Sequence, residues 1–324
     1  MKPTLKMLML AAGLSALAAN LVAASTSLGG AYASEGEGAR ALGMGGAFVA
    51  VADDANANWA NPAGMAFFTP QARYATFTHS LLYQVDGLSR DYVAYAQADD
   101  GGYGALGVSW DRFTADLNPE TYTEDTFAYS GAKKLGSSLP MAVGWTLKYF
   151  RVNSSLTTSD DNQSVGAGDA TGFGADLGLM IKPVPSVAVG VIVQNVYSSL
   201  SWDTHTYESI PTVAAAGVAW HMNERVVFAG QGSMAQGSSG YEAQNVNAGG
   251  EVWMFDGQTE QWGFARNLAF RAGYQQTLLN EEAGQVDVGA SLKAETWQLD
   301  YAYQYMLTQN ELGNTQRLGI SFIF

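Results

Sequence analysis

From Ala72 to Phe324 the chain alternates apolar and polar positions with a period of two, in runs near the length that a tilted membrane strand needs. Two runs show it best. In Trp297–Leu307 one face carries Trp297, Leu299, Tyr301, Tyr303, Tyr305 and Leu307, and the other Gln298, Asp300, Ala302, Gln304 and Met306. In Met141–Tyr149 one face is Met141, Val143, Trp145, Leu147 and Tyr149, and the other Ala142, Gly144, Thr146 and Lys148. A period of two places each set on one side of a sheet. Segments of this kind fall at Ala72–Leu82, Leu88–Ala98, Tyr103–Arg112, Asp125–Leu135, Met141–Val152, Thr171–Lys182, Val187–Tyr197, Thr212–His221, Arg225–Met234, Ala243–Met254, Arg266–Gln275, Gln285–Lys293, Thr296–Leu307 and Thr315–Phe324. That makes about 14 strands.

A soluble sandwich would also alternate, so the second face discriminates. Here it is rich in Gly, Ala and amides with isolated charges, Lys148, Asp176, Arg271, Asp287, Asp300 and Arg317, which suits a polar lumen. The aromatic face suits lipid. Charged residues are 14% of the chain against about a quarter in soluble proteins, so part of the surface is expected not to meet water. The connections alternate in length. Short turns lie at Asp99–Gly102, Gly136–Pro140, Pro183–Ser186, Met222–Glu224 and Ala294–Glu295. Longer ones lie at Phe113–Glu124, Asn153–Ala170, Ser198–Pro211, Ala235–Glu242 and Glu281–Gly284, as in outer-membrane barrels with short periplasmic turns and longer outer loops. Phe255–Ala265 is long where a short turn is due, and marks either a periplasmic excursion or a miscount between 12 and 14 strands. The fold class expected is all-β: a transmembrane antiparallel β-barrel with an N-terminal hatch plugging the lumen.

The first residues read differently. Lys2 and Lys6 precede an apolar run, Met7–Ala24, and Ala31-Tyr32-Ala33 supplies a cleavage pattern, so residues 1–33 are expected to be a secretory signal peptide. Its removal takes the net charge from −14 to −16. Residues 34–70 are the expected hatch and 71–324 the barrel.

Within the hatch, Gly43, Gly45 and Gly46 allow positive φ and close backbone approach. No G-x-G-x-x-G or Gly-Lys-Ser/Thr pattern accompanies them, which excludes a nucleotide loop. One of Asp53 and Asp54 is expected to cap a short helix over Ala55–Ala60. Asn61 before Pro62 predicts a capped turn over Pro62–Met65 that Gly64 releases. Size calls for such a plug. About eight strands leave a lumen that side chains fill and about sixteen to eighteen leave a water channel, and this barrel falls between.

Three stretches carry a resemblance: Ala39-Arg40-Ala41-Leu42-Gly43-Met44-Gly45-Gly46-Ala47, Val51-Ala52-Asp53-Asp54-Ala55 and Asn61-Pro62-Ala63-Gly64-Met65. Together they resemble the N-terminal hatch of the FadL superfamily of outer-membrane barrels, and the spacing and shorter chain look closest to its PorV-like branch. Leu299-Asp300-Tyr301-Ala302-Tyr303 and Leu312-Gly313-Asn314-Thr315 before the last strand agree. The FadL resemblance implies passive uptake of hydrophobic molecules, such as fatty acids or hydrocarbons, gated by Gly43, Gly45, Gly46, Asp53, Asp54, Asn61, Pro62 and Gly64. A ligand would sit near Met44, Phe48, Trp59 and Phe67. The PorV resemblance implies instead a barrel that binds secreted proteins at the cell surface as part of a protein secretion system, using the outer loops.

The chemistry that is missing narrows the choice. With no Cys, three scattered His (His79, His205, His221), no G-x-S-x-G and no H-E-x-x-H, the reading is a non-enzyme without cofactor or metal. Asp160, Asp161, Asn162 and Asp169 read as a solvated acidic loop, since their spacing departs from an EF-hand. Net charge of −14 with no basic stripe excludes a nucleic-acid binder. The partners expected are outer-membrane lipid, a hydrophobic small molecule or a secreted protein, and the barrel-assembly machinery, through a last strand ending on Phe324.

Overall fold

A computed structural model describes residues 32, 38–116, 119–136, 140–155, 157–160, 163–166, 168–237, 240–255, 267–278, 284–307 and 313–324. The expected leader lies outside these residues except for Tyr32, and so does most of Phe255–Ala265. Fourteen strands form the wall: β1 Arg73–Leu81, β2 Leu88–Gln97, β3 Ala105–Asp116, β4 Thr121–Leu135, β5 Met141–Ser154, β6 Ala170–Val184, β7 Val187–Trp202, β8 Thr212–His221, β9 Val226–Gly237, β10 Gly240–Trp253, β11 Asn267–Thr277, β12 Gly284–Lys293, β13 Trp297–Met306 and β14 Thr315–Ile323. Each pairs antiparallel with its sequence neighbour, and β14 returns to β1 with Phe77 opposite Ile320, which closes the ring and removes every free edge. The count is therefore 14.

The alternation read from the sequence becomes inside and outside. Along β5, Ala142, Gly144 and Thr146 are buried while Val143, Trp145, Leu147 and Tyr149 are exposed. Along β13, Gln298, Asp300, Ala302 and Gln304 are buried while Leu299, Tyr301 and Tyr305 are exposed. The outer band is apolar and aromatic, with Tyr129 against Trp145 at 5.4 Å, Tyr149 against Phe173 at 5.3 Å and Trp220 stacked on Phe228 at 6.0 Å. Among the described residues no helix is long and apolar enough to cross a membrane, so strands make the crossing.

Register aligns one feature that no single strand announces. His79, Asp91, Arg112, Asp125 and Arg151 stand opposite one another across β1 to β5. His79 meets Asp91 at 2.7 Å, and Arg112 meets Asp125 at 2.8 Å while lying over the Trp110 ring. This row of polar and charged residues bounds the apolar band below it on the outer face.

Several expected boundaries move. Phe113–Glu124 is not a long loop: β3 and β4 continue pairing to Asp116 and Thr121. Likewise β9 and β10 pair out to Gly237 and Gly240, so Ala235–Glu242 is mostly strand. Asn153–Ala170 contains its own hairpin, Thr157–Asp160 with Gln163–Gly166, and Ser198–Pro211 carries β7 on to Trp202, where Tyr207–Glu208 pairs with it. The polar composition of these stretches reflects strands that run on past the apolar outer band. Asp161 and Asn162 of the acidic stretch lie outside the described residues.

Candidate functional site

Segment 38–68 lies against the inner faces of the strands and is buried almost throughout. It consists of α1 Ala39–Gly43, α2 Ala57–Ala60 and a 3-10 turn over Pro62–Phe67, joined by irregular backbone. Interior glycines make room for it. A Cβ on Gly144 would collide with Ala63, on Gly190 with Val49, on Gly249 with Met44 and on Gly273 with Gly45. Gly45 and Gly46 take φ of 65° and 73°, and these turns bring the segment's backbone onto β10 and β11.

Local capping differs from the sequence expectation. Asp54 Oδ1 accepts from Asn56 N at 2.8 Å, a turn placed ahead of the helix rather than a cap on it, and α2 spans only Ala57–Ala60. Asn61 does cap the next turn, with its side chain accepting from Ala63 N at 3.2 Å and donating to Val49 O and Leu179 O. That turn runs past Gly64 to Phe67. Gly64 does not release it, because its small size serves a close contact with Ala52, which a Cβ would strike.

Asp53 and Asp54 also meet Arg40, which the sequence reading passed over. Arg40 Nη1 donates to Asp53 at 2.5 Å and Asp54 at 2.9 Å, while Nε and Nη2 grip both oxygens of Glu251 on β10 at 2.8 and 2.9 Å. The same Glu251 accepts from Arg271 at 2.6 Å, and Arg271 reaches Ser291 and Asp300. Burial disfavours the Arg40 cation, but Asp53, Glu251 and Asp54 outweigh it and hold the guanidinium well above its ordinary range. Burial pushes the Asp54 carboxyl up, Arg40 pulls against that, and Asp53 adds to it. A lone Arg in an otherwise uncharged run from Gly38 to Ala52 was the available signal.

The six interior charges expected from the alternation fall into groups. Arg271 and Asp300 join the Arg40 cluster, and Lys148 pairs with Asp176 at 2.7 Å. Asp287 and Arg317 are buried on β12 and β14. Next to Asp176 the wall bulges: Ala175 opposes Tyr197 but Leu177 opposes Val193. Asn195, at φ 53°, donates its N–H to Asp176 at 2.8 Å, so both Gln194 and Asn195 point inward against the strand period.

Between the segment and the long-loop end lies a cavity of about 680 Å³. Phe48 and Trp59 line it from the segment, and Phe150, Ile192, Val213 and Gln304 are among its wall residues. Of the four residues expected to hold a ligand, two are thus at the cavity. Met44 is fully buried between segment and wall, and Phe67 sits under the Lys134 and Lys182 ammoniums at 5.3 and 4.7 Å. Tyr32 also lines the cavity, with its N–H on Glu124, its hydroxyl on Asp125 O and its ring 4.7 Å from Phe150.

A closed antiparallel barrel with an apolar outer band, a polar charge-paired interior and a folded segment seated inside it is an integral barrel of the outer-membrane type. Neither protein-family models nor curated proteins match the sequence. Solved structures do match the fold. The monoaromatic hydrocarbon channel CymD superposes with a TM-score of 0.61 at 14% identity, over 89% of this chain and 96% of that one. The Ralstonia pickettii toluene transporter TbuX gives 0.59 at 12% identity, over 89% and 97%. A Pseudomonas aeruginosa FadL homologue gives 0.53 at 13% identity, over 94% and 99%. The chain therefore has the fold of FadL-type outer-membrane channels.

Proposed function

We propose that this protein passively admits hydrophobic small molecules across the outer membrane, with segment 38–68 as the hatch that must shift for passage. The observation that carries the reading is the cavity of about 680 Å³ bounded below by that segment, so that a molecule arriving from the long-loop end stops on Phe48 and Trp59. The hydrocarbon and toluene channels that share the fold support the same class of cargo. Gly43, Gly45, Gly46, Asp53, Asp54, Asn61, Pro62 and Gly64 shape the hatch, and the Arg40–Glu251 contact is the latch to the wall.

A reversible lock tests this. A Cβ on Gly319 would lie 3.7 Å from that of Ala39, within the span of a disulfide, and the chain has no other Cys. In proteoliposomes, oxidised Ala39→Cys/Gly319→Cys should lose most toluene uptake and regain it on reduction. Equal uptake in both redox states overturns the gating role.

A further inference from the structure

The cavity wall is not uniformly apolar. Gln231 stands opposite Asn247, Asn247 opposite Gln275, and Gln275 opposite Gln285, so four strands, β9 to β12, carry one continuous row of amides on the inner face. All four line the cavity, as does Gln304 on β13.

One end of the row is committed to the hatch. Gln231 Oε1 accepts from Phe48 N at 3.2 Å and Val49 N at 3.0 Å, and Asn247 Nδ2 donates to Gly45 O at 2.5 Å and to Gln275 at 2.9 Å. The far end is not: among the described residues the side chains of Gln285 and Gln304 make no hydrogen bond. Each offers two donors and an acceptor. Phe48, Trp59, Ile192 and Ala215 also line the cavity, and their side chains are apolar apart from the single indole N–H of Trp59.

The charged residues at the cavity are compensated. Arg90 is bidentate on Asp111 at 2.7 to 3.0 Å, Lys148 is on Asp176, and Glu124 accepts from Tyr122 at 2.8 Å. Arg317 is buried and already partnered. A bare hydrocarbon would leave the amides unmet, and an anion would find no free cation.

We propose that the cavity binds a neutral amphiphile, with its apolar part on Phe48, Trp59 and Ile192 and its hydroxyl, carbonyl or amide groups on Gln285 and Gln304. This rests on the uptake reading and narrows its cargo.

The test uses the full chain in nanodiscs at pH 8, with a matched series of octane, octanoate and octanamide. Binding is read as the tryptophan-fluorescence change that Trp59→Phe removes. Octanamide should bind about tenfold tighter than either other probe, roughly the worth of one to two net hydrogen bonds. Gln285→Leu/Gln304→Leu should erase that preference while octane binding holds or improves, with heat-modifiable migration showing an intact barrel. Octanoate binding as tightly as octanamide, or a preference that survives the double substitution, overturns the proposal. The two readings separate in the locked-hatch assay: there, failed gating with the amide preference intact removes the uptake reading alone.

Discussion

Arg40 is the residue whose loss should be felt most, because it joins three carboxylates from two parts of the chain, with its contact to Glu251 buried and Asp53 reaching water. Arg40→Gln leaves Asp53 and Asp54 facing each other without a cation and removes one of the two arginines on Glu251. Breaking a buried pair this way costs about 3–5 kcal/mol. The strain should fall on segment 38–68 rather than on the barrel, whose strand ladder is untouched. The expected result is faster protease cleavage within 38–68 and leakage of small sugars in liposome swelling, with heat-modifiable migration unchanged. Unaltered protease resistance would show that the glycine contacts alone seat the segment. Asp53 and Asp54 were visible in the sequence as a pair and Arg40 as a lone charge nearby, but the wall residue that completes the cluster was not. Glu251 is 211 residues from Arg40, and nothing local connects them.

At the scale of the strand, side-chain period was enough to assign faces, since a strand in a closed wall has only inside and outside. The aromatic runs of β5 and β13 face outward as the alternation required. Leu147, 56% exposed in the middle of β5, therefore meets hydrocarbon. Leu147→Arg should destabilise the barrel by about 2–4 kcal/mol, checked by urea titration of folding into lipid vesicles. A change within 0.5 kcal/mol would place that face in water. Strand ends were less legible, because β3, β4, β9 and β10 run on beyond the band where composition no longer distinguishes a paired strand from a loop. The bulge at Asn195 was equally hidden, since added residues are seen only against the partner strand.

For the whole molecule, fourteen strands enclose more space than wall side chains fill, and segment 38–68 occupies the part next to the short turns. Deleting Gly43–Asn58 should turn a closed barrel into an open one. Planar-bilayer conductance should rise from near-silent to steady channel currents while the protein still folds, and a silent deletion variant would mean the wall closes on itself. The sequence by itself determined the class of fold and the direction each face points, because those follow from a local period repeated along the chain, while the count of 14 strands was settled by closure of the ring. It also marked the N-terminal segment as something other than strand. Only the tertiary structure decided which residues meet inside. The Arg40 cluster, the charged row from His79 to Arg151 and the amide row from Gln231 to Gln285 each depend on register between strands. Register is set by closure of the ring and by the seated segment, and neither is encoded in any one stretch of residues.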